Sequence, residues 1–256
     1  MNIDLIRGAC LGGVLLAALL FERRWPITAL ARPWMTNLGL WLVDTALMRV
    51  VCGACGLVLA AWCEANHVGA LQLLRLPAWI AMAFSVVALD AVAYLWHRAN
   101  HRFAWLWRWH RVHHADRAFQ VTTALRFHPG ELLLSLPVRL LAIVLLGLPM
   151  AGVLLFELVF GAMNLLVHAN VALPRKLHVL ASWVVVTPRL HRLHHARSLS
   201  FSNRNFGTVF SLFDRAFRTL ADHSQAHQFE TGIEGAEGNT QMSLRAALVA
   251  PLASRP

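Results

Sequence analysis

The chain has 256 residues, is 57% hydrophobic with a mean hydropathy of +0.53, and carries a formal net charge of +10. So apolar a composition excludes an ordinary soluble domain. The charge does not point to nucleic acid, because the basic residues (nearly all arginine, Lys176 being the only lysine) flank apolar segments as they do in the loops of membrane proteins.

The first apolar run covers residues 5–21. One arginine, Arg7, lies at its start, and Glu22, Arg23 and Arg24 follow. That charge order is wrong for a signal peptide and no small-residue cleavage site follows, so the run reads as a retained span whose C-terminal end faces the cytoplasm. Second and third spans are expected over 38–62 and 76–96. Of the cysteines, Cys10, Cys52 and Cys55 lie in apolar runs, and Cys63 follows the second. The lone Cys52-x-x-Cys55 has no second pair to complete a metal site and reads as small buried residues, with nothing demanding an oxidising compartment.

The apolar stretch 132–172 is about twice the roughly 20 residues of one span. Gly147-Leu148-Pro149 breaks it, which predicts a helical hairpin entering and leaving by the same face. Arg139, Glu157, Asn164 and His168 lie inside it, and polar groups at that depth face a bundle interior or a cavity. With this topology three basic groups share one face: Arg23, Arg24 and Arg32; Arg98, Arg102, Arg108, Arg111, Arg117 and Arg126; Arg175, Lys176, Arg189, Arg192 and Arg197. The positive-inside rule makes that face cytoplasmic. Residues 222–240 are expected to be a surface loop, and 241–252 a short interfacial helix. The predicted fold class is an all-α integral membrane protein of about three spans plus a helical hairpin, with a cytoplasmic helical cap carrying a His-rich dimetal site.

Two segments share the pattern His-x-x-His-His: His110, His113 and His114, then His191, His194 and His195. Positions i, i+3 and i+4 lie on one side of a helix. His97 and His101 are i and i+4 at the end of the third span, and His168 sits near the end of the hairpin's second arm, one turn after Asn164. Four segments can therefore bring their imidazoles to one spot below the membrane surface. Chance gives roughly 0.04 such triplets per chain at this histidine frequency, so two copies ask for a cause. The isolated His67, His178, His223 and His227 read instead as hydrogen-bonded structural residues. Imidazole is the commonest metal ligand, and nine exceed what one tetrahedral zinc uses, so the set suits two metal ions. Ligand type leaves Zn, Cu, Fe and Ni open. No glutamate lies inside a cluster, which disfavours a zinc hydrolase, and ligands at helix ends rather than mid-bilayer disfavour a transporter. Asp90, seven residues before His97, is a candidate acceptor for orienting a ligand imidazole.

In this order and spacing the motifs resemble the fatty acid hydroxylase / sterol desaturase superfamily of histidine-rich membrane di-iron oxygenases. DAVAYLWHRANH, LWRWHRVHHAD, RFHPGE, NLLVHAN, TPRLHRLHHAR and NRNFGTVFSLFDRAF carry the likeness, from about residue 85 to 220. Together with the spans and tail read above, the resemblance divides the chain into N-terminal membrane spans over 1–75, a catalytic domain over 76–220 and a cytoplasmic C-terminal tail over 221–256. It implies that His97, His101, His110, His113, His114, His168, His191, His194 and His195 bind two iron ions, which zinc can replace in a purified form. His128 becomes a further ligand or a supporting donor, and Asn164 stands where some members carry another histidine. The implied reaction is O2-dependent hydroxylation, or desaturation, of an unactivated C–H of a membrane lipid, with electrons from a separate ferredoxin- or cytochrome b5-like protein. Arg98, Arg102, Arg111 and Arg126 are the candidates for gripping an anionic head group. The dominance of arginine over lysine favours a bacterial inner membrane. No residue selects among the sterols, fatty acyl chains, sphingoid lipids, ether lipids, carotenoids and amino-acid lipids that the resemblance leaves open.

Overall fold

The computed structural model describes residues 3–29, 34–74, 76–222, 226–233 and 242–253. Thirteen α-helices lie among them: α1 (Ile3–Arg24), α2 (Trp34–Val51), α3 (Cys55–Ala65), α4 (Ala70–Leu74), α5 (Ala78–Arg102), α6 (Ala104–His114), α7 (Pro129–Leu146), α8 (Met150–Val167), α9 (Arg175–Ala181), α10 (Pro188–His194), α11 (Leu199–Ser202), α12 (Leu212–Ala216) and α13 (Leu244–Ala253). No strand occurs among the described residues, only three isolated β-bridges. Five segments are long and apolar enough to cross a membrane: 3–24, 34–74, 78–102, 129–146 and 150–167.

The hairpin forms where the sequence breaks. Gly147 adopts φ +63 and caps α7, donating its N–H to Ile143 and Val144 carbonyls, and Pro149 opens α8. Each arm has 18 residues, about 27 Å of helix, close to the hydrocarbon thickness. The turn also needs glycine on its partner: a Cβ on Gly69, itself at φ +100, would lie 2.2 Å from the Gly147 nitrogen. Backbone meets backbone there, with no room for a side chain.

The second span departs from expectation. It is interrupted after Val51 by a turn with Gly53 at φ +53, and Cys52 and Cys55 are joined in a disulfide across it. Neither cysteine is fully buried. The hydropathy of 38–62 hides this break, because the turn is made of Gly, Ala and Cys, which are no less apolar than their neighbours.

Leu57, Ala60, Val86, Leu89, Ile143, Val153 and Phe156 form the main core where α3, α5, α7 and α8 meet. α8 also packs on α5, with Gly152 against Ser85, and on α1, with Gly161 against Leu11. The end of α1, the start of α2, the end of α5, the start of α7 and the end of α8 converge on one side. Glu22 fastens part of this junction: its carboxylate accepts the backbone N–H groups of Val121 and Asn170, each at 2.6 Å. The helical cap, α6 and α9 to α12, covers that side.

The helix expected over 241–252 is α13. It docks on α2 and α6 through Leu40, Val112 and the fully buried Ala247. Arg32, His223 and most of the polar stretch 222–240 lie outside the described residues.

Candidate metal centre

All nine histidines of the expected set come together. His97 and His101 occupy the last turns of α5. The chain turns at Phe103, and α6 returns with His110, His113 and His114. His168 follows the last residue of α8, while α10 and its C-cap supply His191, His194 and His195.

The imidazoles divide into two groups: His97, His101, His110, His114 and His194, and His113, His168, His191 and His195, the ligand atoms of each lying within 4.8 Å of one another. Each His-x-x-His-His motif is therefore split. At 3.6 residues per turn, i and i+4 lie about 40° apart, whereas i+3 and i+4 lie about 100° apart. His110 and His114 accordingly point one way and His113 the other; His191 and His195 share the second group and His194 crosses to the first. Within the groups, Nε2 atoms face each other: His101 to His114 and His114 to His110 at 3.2 Å, His168 to His113 at 3.2 Å and to His191 at 3.0 Å.

Acceptors behind the rings fix several of them. Nδ1 of His97 meets the Phe206 carbonyl (2.8 Å), His113 that of Arg126 (3.1 Å), His168 that of Asn164 (2.7 Å) and His194 that of Arg204 (2.7 Å). His110 Nδ1 meets the Glu131 carboxylate at 2.8 Å. A proton held on Nδ1 leaves the Nε2 lone pair free for a metal. Buried Nε2 atoms of His97, His194 and His195 have no hydrogen-bond partner, nor do Nδ1 of His191 and His195.

Burial keeps these rings neutral. It is the largest influence in pushing His113, His114, His191, His194 and His195 well below the ordinary histidine range, with neighbouring imidazoles adding to it. Burial takes His168 down to about 4, against the opposing bond to Asn164. In the unfolded chain these groups titrate near 6.5. A depressed folded value means that the unfolded chain binds more protons below that pH, so stability is full above about pH 6.5 and is lost as pH falls toward the folded values. Metal-free protein will therefore melt at a constant temperature between about pH 7 and 8 and lose stability steeply below 6.5, by up to about 1.4 kcal/mol per pH unit for each imidazole. Thermal denaturation in detergent across this range measures it; a profile flat down to about pH 5 would contradict neutral burial.

The other expected site residues have different places. Asp90 is fully buried but touches no imidazole. It accepts the backbone N–H groups of Val209 (3.2 Å) and Phe210 (2.9 Å), holding the segment that carries Phe206. Asp214 grips the same segment at the N–H groups of Phe206 and Gly207, both at 2.9 Å. His128 caps α7 by accepting the Gly130 N–H, and its Nε2 reaches the Leu248 carbonyl at 3.1 Å, so both nitrogens are engaged outside the two groups. The Asn164 amide donates to the Ala124 carbonyl, and its own backbone carbonyl orients His168. Arg126 is 1% exposed and is bonded to the Val112 carbonyl and to Asn37, which continues to Asp116. Such burial removes Arg126 from head-group binding. Arg98 and Arg102 are exposed, Arg111 is half-buried, and none of them lines the cavity beside the histidines. His178 is a buried structural residue between Thr187 and Asp222.

That cavity, of about 200 Å³, runs between α5, α7 and α8. His97, His110, His113, His168 and His191 face one end of it; Leu89, Val92, Phe156 and Phe160 form apolar walls. Sequence reasoning missed Glu131, Asp214 and Asp116. The one local signal was a carboxylate next to a histidine motif, in HPGE and HHAD.

Residues 82–219 match the family described as fatty acid hydroxylase. The chain is 32% identical over 159 residues to an ornithine lipid hydroxylase, OlsE, of Rhizobium tropici, a match covering 60% of this chain and 47% of the relative. It is 28% identical over 147 residues to an alkylglycerol monooxygenase of Danio rerio (57% and 31% covered), and 28% identical over 157 residues to one of Caenorhabditis elegans (58% and 29%). The matches thus span less than half the length of each of these relatives. No solved structure matches the chain.

Proposed function

Because the chain belongs to the fatty acid hydroxylase family, and is with it an integral membrane protein, we propose that it is an O2-dependent oxygenase that hydroxylates an unactivated C–H bond of a lipid, using two iron ions. The observation that carries this reading is the division of nine imidazoles into two groups at the end of an apolar cavity. The residues suit the ions. Buried nitrogens without partners are costly, and lone pairs brought to 3.0–3.2 Å of one another repel unless a cation or proton lies between. His97, His101, His110, His114 and His194 would hold one ion, and His113, His168, His191 and His195 the other.

Bound iron would supply the activation of O2, with two electrons from a separate donor protein and two protons from water; one oxygen atom would enter the C–H bond and the other leave as water. The chain supplies everything else. Glu131 and the carbonyls of Asn164, Arg126, Arg204 and Phe206 hold the rings in one tautomer. Leu89, Val92, Phe156 and Phe160 exclude water and lay an alkyl chain against the histidine end. The named relatives are a lipid hydroxylase and alkylglycerol monooxygenases, which favours hydroxylation over desaturation and a lipid with a polar head. The basic groups at the helix ends nearest the cap favour a cytoplasmic site, and the dominance of arginine over lysine favours a bacterial inner membrane.

The test is elemental analysis of the purified protein, followed by iron reconstitution with O2, a reductant and extracted lipids. About two irons per chain and a lipid product heavier by one oxygen support the reading. Zinc-loaded protein that turns over lipid without oxygen or reductant would replace it with a hydrolase.

A further inference from the structure

Arg139 is the charged residue of the cavity that the histidine groups leave unused. It comes from the middle of α7 and lines the same cavity that His97, His110 and His168 face. It also lines a second cavity, of about 340 Å³, bounded by Arg7, Glu157 and the Cys52–Cys55 turn. The two share Leu132, Ser135, Arg139, Phe156 and Phe160, and so adjoin at Arg139; the first makes a passage from Arg139 to the histidine end.

The charges around it do not balance. Among the described residues Arg139 has no hydrogen-bond or ion-pair partner; the charges acting on it are Glu157 and Arg7. Glu157 is already paired with Arg7 at 3.0 Å. One carboxylate therefore serves two guanidiniums within membrane-spanning helices, where an unmatched charge is costly and marks function. A planar guanidinium offers paired donors to an oxyanion.

We propose that Arg139 anchors the substrate by binding a carboxylate or phosphate group of the lipid, so that the chain runs from Arg139 along the passage to the histidine end. The proposal rests on the oxygenase reading for the identity of the passage. Glu131, which touches His110, lies about two turns from Arg139 on α7, or about 12 Å along the helix. The oxidised carbon is then set well along the chain from the anchored group, not beside it.

Binding of three probes to the full-length, metal-free protein in nonionic detergent tests this: palmitate, hexadecyl phosphate and hexadecanol, by isothermal titration. The expected result is a preference for one or both anions over the alcohol of at least about tenfold, with the stronger anion telling carboxylate from phosphate. Arg139→Gln will remove the preference and leave hexadecanol binding unchanged. Arg139→Lys will restore part of it. Glu157→Gln, which removes the competing negative charge, will increase it, and this variant decides the question if Arg139→Gln does not fold. Equal binding of acid and alcohol by the wild type, a preference that survives Arg139→Gln, or one that fails to rise in Glu157→Gln would overturn the proposal. The measurement needs neither metal nor turnover, so its failure would leave the oxygenase reading standing, and loss of that reading would show separately in the metal analysis.

Discussion

If the two histidine groups hold two ions as proposed, changing His191 and His195 both to alanine will leave the protein about one ion and abolish the proposed oxygenase activity. These two imidazoles are half of the second group, and His113 and His168 alone cannot hold an ion tightly. His110→Ala/His114→Ala is the mirror experiment: it leaves three imidazoles, His97, His101 and His194, in the first group and the second intact. The informative variant is a third substitution. If each His-x-x-His-His motif held its own ion, His113→Ala would cost nothing more once His110 and His114 were gone. In the split arrangement it belongs with the other group. Added to His110→Ala/His114→Ala it leaves His168, His191 and His195 in the second group and will speed loss of that ion to a chelator; added to His191→Ala/His195→Ala it will change the metal count little. Elemental analysis of the four proteins, with and without the chelator, reads this directly. A count that follows the motifs rather than the groups would refute the division.

The split marks the boundary of what the sequence makes legible. The nine residues were readable because histidine is rare and its clusters are not expected by chance. Their division was also implicit, since neighbouring residues on a helix diverge by about 100°, but a rule that places i, i+3 and i+4 on one side hides it. Gly147 and Pro149 announced the hairpin because each has a single backbone role there. The turn at Cys52–Cys55 gave no such signal, since small apolar residues suit a span as well as a bend. Arginine was the least legible residue. Arg126 reads like its neighbours as a loop cation, yet it is buried and ties α6 to α2 through Asn37. Only the packing of three segments distant in sequence reveals that. Asp90 shows the same limit: its helix position relative to His97 was visible, but its partners, the Val209 and Phe210 N–H groups, lie well over a hundred residues away.

Replacing Glu131 by glutamine will speed the loss of metal to a chelator by about 10- to 100-fold, the usual cost of disturbing a group behind a ligand. Glu131 sits in the first turn of α7, where the helix dipole favours a negative charge. One of its carboxylate oxygens meets both His110 Nδ1 at 2.8 Å and the Asn100 side-chain amide at 2.9 Å. The carboxylate therefore fixes the His110 tautomer and makes the ring a stronger donor through its other nitrogen. Glutamine is nearly isosteric and retains an acceptor for His110, so the fold and the ring position should survive while the charge is lost. Glu131→Leu removes the acceptor as well and leaves the Asn100 amide unpaired, so it will lose metal faster still and melt at a lower temperature. The ordering wild type, glutamine, leucine in metal release, with thermal stability falling only at the last, separates electrostatic support from packing. Equal release rates for wild type and Glu131→Gln would mean that the carboxylate only fills space beneath His110.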